Sequence, residues 1–146
     1  MNVASTVEVS ATTRKRMQAT RQRDTDCEML VRRALWARGL RYRVNLRISK
    51  SITSRPDIVF SRARVALFIN GCYWHACPLH GTVPKTNSQW WSEKFEANRA
   101  RDQRADATLR SEGWTVIRAW EHEEPNAVAN TVAAALQRIY DVFESR

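Results

Sequence analysis

Cys27, Leu30, Val31, Ala34 and Leu35 recur at i, i+3, i+4, i+7 and i+8, the period of a helix with one apolar stripe. Asp24 is placed to cap that helix and Gly39 to stop it. The stripe puts Cys27 in the core and Glu28 at its edge, within reach of a sheet. A carboxylate in a first helical turn is also favoured by the helix dipole alone. From Tyr42 the period changes to two: Tyr42, Val44, Leu46 and Ile48 alternate with Arg41, Arg43, Asn45 and Arg47, a half-buried strand with a basic outer face. After a loop over 51–55, residues 57–60 read as a second strand, with Pro56 at its start, where a missing N–H is tolerated. Residues 61–64 read as a turn and 65–69 as a third strand, so the two strands form a hairpin.

A long helix follows from about 88 to 112, ended by Gly113. Trp91, Lys94, Phe95, Asn98, Asp102, Ala105 and Leu109 share its inward face, which is polar in the middle. Inward polar groups mean a wet functional cleft or a satisfied buried network. Residues 114–120, β-branched and aromatic, make a fourth strand. Pro125 and Asn126 open a last helix whose core stripe is Val128, Val132, Leu136, Ile139 and Phe143. The order α-β-β-β-α-β-α predicts a three-layer α/β fold, a mixed central sheet flanked by helices. It forms one domain over 14–146, preceded by a mobile tail over 1–13 without amphipathic period.

The 146 residues suffice for one core, and their formal charge of +9 calls for a polyanionic partner. Nucleic acid fits better than a membrane, because no long apolar run or signal-like start is present. Arg14, Lys15, Arg16, Arg21 and Arg23 surround Met17 as a basic arm, either a solvated charge run or a set of phosphate contacts. Three cysteines, two of them in one short loop, argue against a disulfide framework and fit a reducing cytosol.

That loop carries the densest chemistry. The third strand ends at Gly71 and opens into Cys72, Tyr73, Trp74, His75, Cys77 and His80. Cys72, Cys77 and His80 are spaced as zinc ligands, and a structural site needs a fourth. His122, just past the fourth strand, qualifies if strands three and four are neighbours; His75 competes with it. The alternative is a set of unligated loop residues. A closed zinc site would leave His75 free for chemistry. Asp57, at the start of a hairpin strand, stands where metal-dependent nucleases hold a divalent ion, and one carboxylate with one backbone carbonyl can hold Mg²⁺. A lone Pro-Asp is more ordinarily a cap or a turn.

In combination these segments resemble the very-short-patch-repair (Vsr) mismatch endonucleases, which have a restriction-endonuclease-like fold. The resemblance runs from about Arg14 to Glu123 and rests on R-P-D at 55–57, F-I-N-G-C-Y-W-H-A-C-P at 68–78 and H-G-T-V-P-K-T-N at 80–87. It continues in W-x-x-K-x-x-x-N-x-x-x-D at 91–102 and G-W-x-V-I-R-x-W-E-H at 113–122. The resemblance implies that Asp57 and the Ile69 carbonyl hold a catalytic Mg²⁺, with Glu28 contacting metal-bound water. His75 is then the general base that activates water, and Asp102 supports it. Cys72, Cys77, His80 and His122 form the structural zinc set. Tyr73, Trp74 and Trp91 enter a T·G mismatch from the major groove, and Met17 enters from the minor-groove side. One departure is visible: the place of a second acid and a lysine reads Ile69-Asn70-Gly71, and an amide at Asn70 donates a hydrogen bond but delivers no proton.

The expected activity is an Mg²⁺-dependent nick beside a T·G mispair left by 5-methylcytosine deamination, made by a monomer in the bacterial cytoplasm at the nucleoid. A mismatch-repair coordinator such as MutL is the implied handover partner. The competing readings are a zinc-stapled DNA-binding module without catalysis, or a related nuclease for another lesion or sequence. Asp57, His75 and Asp102 discriminate, because a binding module needs none of them.

Overall fold

The computed structural model describes residues 26–71 and 86–145. The N-terminal tail, the basic arm with Met17 and the cysteine-rich loop with Tyr73, Trp74 and His75 lie outside the described residues. The described elements are helix α1 (Asp26–Ala37), strands β1 (Arg43–Val44), β2 (Ile58–Phe60) and β3 (Val65–Asn70), helix α2 (Ser88–Ser111), strand β4 (Thr115–Trp120) and helix α3 (Pro125–Glu144). The element order is the expected one.

The sheet order is β1-β2-β3-β4, antiparallel in its first two pairings and parallel between β3 and β4. A parallel neighbour requires a crossover, and α2 supplies it. In β3, Val65, Ala66, Leu67 and Phe68 are all buried, as a strand covered on both faces demands. Val65 and Leu67 pack with Val31 and Leu35 of α1 and Val128, Val132 and Leu136 of α3. Ala66 and Phe68 pack instead with Leu109 of α2 and with Trp114 and Val116. Two helices therefore cover one face of a mixed sheet and one covers the other.

Several expected faces are corrected. The first strand pairs over two residues rather than the eight of the alternation over 41–48, because Asn45 turns into the left-handed region at φ 49. Tyr42 consequently packs with the α1/α3 core, while Ile48 packs on the opposite face. In α1 the buried stripe is Glu28, Val31 and Leu35, and Leu30 is 48% exposed. Lys94 is exposed on α2, and Asp106 takes an inward place instead. Phe143 is 53% exposed. A helix the length of α3 spans about 30 Å and a six-residue strand about 20 Å, so the last turn overruns the sheet. Both stop signals hold: Gly39 at φ 78 and Gly113 at φ 90 adopt a conformation that other residues strain to reach.

Candidate active site

The hairpin opens at one end, and the opening is the candidate site. The Asp57 N–H donates to the Leu67 carbonyl at 2.9 Å, the last rung between the two strands. Beyond it β3 continues to Asn70, paired with β4 on one side only. Backbone groups of successive strand residues point to alternate sides. The Asn70 carbonyl accepts from the Glu121 N–H at 2.9 Å, so Asn70 faces β4 and Ile69 faces the opening. There the Asp57 Oδ2 accepts the Ile69 N–H at 2.6 Å. The Ile69 carbonyl lies on the same open side by the same geometry. Asp57 and Ile69, singled out in the sequence, are thus brought together by a strand pair that diverges one residue too soon to satisfy itself.

The electrostatics of this notch are unbalanced. The Asp57 carboxyl is pushed up from 3.8 to about 6, first by burial and then by the negative charge of Glu28. The Ile69 N–H and the charges of Arg32 and Arg118 oppose the shift without cancelling it. Glu28 is not the surface carboxylate that a first helical turn allows: it is 2% exposed and accepts from Arg32 Nη2 at 2.7 Å. The stripe of α1 aims it at the sheet. Cys27, expected in the core, is half-buried, and its thiol is pushed up by burial and then by Glu121, Glu28, Asp57 and Glu123. The two glutamates after β4 thus add to the same negative field. Sequence periodicity missed them because they follow the strand rather than belong to it. Among the described residues no three side chains of His, Cys, Asp or Glu form a metal-binding group. The notch offers a different donor set, one buried carboxylate with a backbone carbonyl and a second carboxylate behind. Hard oxygen donors under mutual repulsion suit Mg²⁺, which keeps several of its waters.

On the α2 face of the sheet stands a second polar cluster. Arg118 of β4 donates from Nε to Asp106 Oδ2 at 2.9 Å and from Nη2 to Oδ1 at 2.7 Å. Its Nη1 donates to Asn70 Oδ1 at 3.0 Å and lies 3.7 Å from Asp102 Oδ2. The guanidinium sits over the Phe68 ring at 4.2 Å. Asp102 had been singled out; Arg118 and Asp106 had not. The missed signal was parity: Trp114 and Val116 face α2, so Arg118 at the next inward place is an arginine in an apolar alternation.

Trp91 is 2% exposed at the start of α2, with its ring tilted on Phe95 at 5.8 Å. His122 stacks on Trp120 at 6.4 Å. Asn70 and Trp120 are register partners in the parallel pair, so β3 and β4 are neighbours and end side by side, with His122 two residues past the end of β4. His75, Cys72, Cys77 and His80 lie outside the described residues.

Comparison with known proteins bears on the same question. The family model described as DNA mismatch endonuclease Vsr matches residues 6–79. The chain is 41% identical over 133 residues to the type II nicking enzyme V.NaeI of Lentzea aerocolonigenes, covering 90% of this chain and 80% of that protein. Against the type II nicking enzyme V.XorIIP of Xanthomonas oryzae pv. oryzae, identity is 42% over 127 residues, or 86% and 89% of the two chains. Against the DNA mismatch endonuclease Vsr of Escherichia coli (strain K12), it is 38% over 113 residues, or 76% and 70%. Kinship of this extent, on a mixed sheet whose opened hairpin holds a buried acid, means that the chain belongs to the Vsr family of DNA mismatch endonucleases.

Proposed function

We propose that this endonuclease nicks one strand of duplex DNA beside a T·G mispair, the product of 5-methylcytosine deamination, by Mg²⁺-dependent hydrolysis of a phosphodiester. The observation that carries the reading is Asp57, half-buried, accepting the Ile69 N–H, with the charge of Glu28 felt at its carboxyl. A carboxylate placed so is costly to the fold and useful to a cation. Asp57 and the Ile69 carbonyl would hold Mg²⁺, with Glu28 acting through water. When bound, the ion supplies stabilisation of charge on the phosphoryl oxygens. His75 accepts the proton of the attacking water at a ring nitrogen as the water oxygen bonds to phosphorus, and the leaving strand's oxygen departs with the P–O electron pair and takes a proton from solvent. Asp102 orients that imidazole.

Substrate binding rests on the positive charge. Arg14, Lys15 and Arg16 contact phosphates, and Met17 approaches from the minor groove. Tyr73 and Trp74 wedge into the mispair, joined by Trp91, which is packed on Phe95 in the free chain. A mispair costs less to unstack than a matched pair, so wedging selects by deformability. Cys72, Cys77, His80 and His122 hold a structural zinc that fixes the loop carrying His75. A single site in a monomer gives a nick rather than a double-strand break, and nicking is what several relatives are named for. No helix among the described residues is long and apolar enough to cross a membrane, and the proposed setting is the bacterial cytoplasm at the nucleoid. Handover to a MutL-type coordinator follows the nick.

The test is cleavage of matched, T·G and otherwise mispaired duplexes, each with Mg²⁺ and with chelator. One-strand nicking confined to the T·G duplex with Mg²⁺ is expected. Cleavage of the matched duplex at the same rate, or cleavage indifferent to chelator, overturns the proposal.

A further inference from the structure

A guanidinium has five N–H donors and no acceptor. Arg118 therefore decides which way the Asn70 amide faces. Only the carboxamide oxygen can meet Nη1, which it does at 3.0 Å, and the Asn70 NH₂ must turn away from the arginine. Arg118 is itself held on three sides. Asp106 fills Nε and Nη2, Phe68 lies beneath the guanidinium plane, and Asp102 stands beside Nη1. Bidentate carboxylate pairing of this kind fixes orientation as well as charge. Asn70 follows Ile69 directly and is the last residue of β3, at the opened end of the hairpin. The Arg118 charge is felt at Asp57 as well. One half-buried arginine thus touches the strand that leads to the proposed catalytic loop and the helix acid proposed to orient His75.

We infer that Arg118 is a positioning residue for strand cleavage: anchored by Asp106, it turns the Asn70 NH₂ outward as a neutral donor to a phosphate oxygen of the bound strand and restrains Asp102 beside it. The inference rests on the nicking reading and deepens it. It assigns Asn70 a chemistry that an amide can perform, donation of a hydrogen bond to an anion, in place of proton delivery. It also gives Asp106 a reason to be buried.

The test is a set of variants in Mg²⁺-dependent nicking of a T·G duplex under saturating and subsaturating conditions. Arg118→Met alone strands Asp106 without its partner and risks the fold, so the informative variant is Arg118→Met/Asp106→Leu, which replaces the pair by apolar groups of similar size. It is expected to melt cooperatively near the parent and to lose about 10- to 100-fold in kcat, the scale at which misplaced groups act, with KM little changed. Asn70→Ala is expected to lose a comparable factor. Adding Asn70→Ala to the double variant should cost much less than it costs alone, because the donor is already misdirected. A folded double variant that nicks at the parental rate overturns the inference, as does a full additive loss in the triple variant. If the parent itself fails to nick the T·G duplex, the proposed function falls first, and the two failures are told apart.

Discussion

Asp57 and Asp106 are both inward-facing aspartates close to the same end of the sheet, and they are treated in opposite ways. Asp106 receives two donors of a guanidinium at 2.9 and 2.7 Å. Asp57 receives one backbone N–H, a glutamate as neighbour, and cations that contact other acids first. The first acid is complete within the chain and works as an anchor. The second is left short of positive charge, which is the condition of a group that waits for a ligand.

The sharpest way to break this contrast is Asp57→Asn. The amide keeps an oxygen for the Ile69 N–H but removes the charge, and nicking of a T·G duplex should fall by about a thousand-fold or more, in the upper range for loss of one catalytic group, with duplex binding largely intact. Nicking at parental rate in a gel assay would show that the notch is not the reaction centre. Asp106→Ala should act on the fold first, with nicking reduced through the released Arg118. It leaves the half-buried Arg118 with Asp102 as a partial partner, and chemical denaturation should show a loss of about 2 kcal/mol, below the cost of breaking a fully buried pair. Unchanged stability would mean that Asp106 anchors nothing.

A smaller effect separates the two acids by pH. The folded chain holds the Asp57 proton more tightly than the unfolded chain, so stability from this residue is fully present below about 3.8 and is lost as pH rises through about 6. Measured without Mg²⁺, the parent should lose on the order of 2 kcal/mol across that window, after allowance for screening, relative to Asp57→Asn. Parallel pH profiles for the two proteins would contradict the unbalanced notch. Smallest is the effect of Glu28→Gln. Removing that charge should draw the Asp57 carboxyl back toward the ordinary range and shift the upper edge of the window to lower pH. An unmoved edge would leave burial as the whole cause.

The parts of the site that could be read in the chain are those that local pattern dictates. Asp57 follows Pro56 at a strand start, and the apolar run of β3 ends in Ile69 and Asn70, so both sides of the notch were visible as strand ends. Glu28 was visible as a residue but not as a buried one, because the buried stripe of Glu28, Val31 and Leu35 is rotated from the expected one by part of a turn, an angle that the period alone does not fix. Arg118 could be placed by strand parity, yet its partner could not, since nothing in a β4 alternation says which residue of α2 stands opposite. The length of β1 was misread because Asn45 leaves the strand through a backbone conformation that alternating side chains do not encode.

The sequence by itself determined the order of helices and strands, the hairpin, both glycine stops and the family to which the chain belongs, since each of these rests on neighbours a few residues apart or on motifs read in a line. Only the tertiary structure decided that β2 parts from β3 at Asp57, that Ile69 turns its N–H to that acid, and that Arg118 joins Asp106 to Asn70. Those outcomes depend on register and on the packing of α1 and α2 across a sheet. Groups that meet over dozens of intervening residues are chosen by the geometry of the assembled layers, which no local period carries.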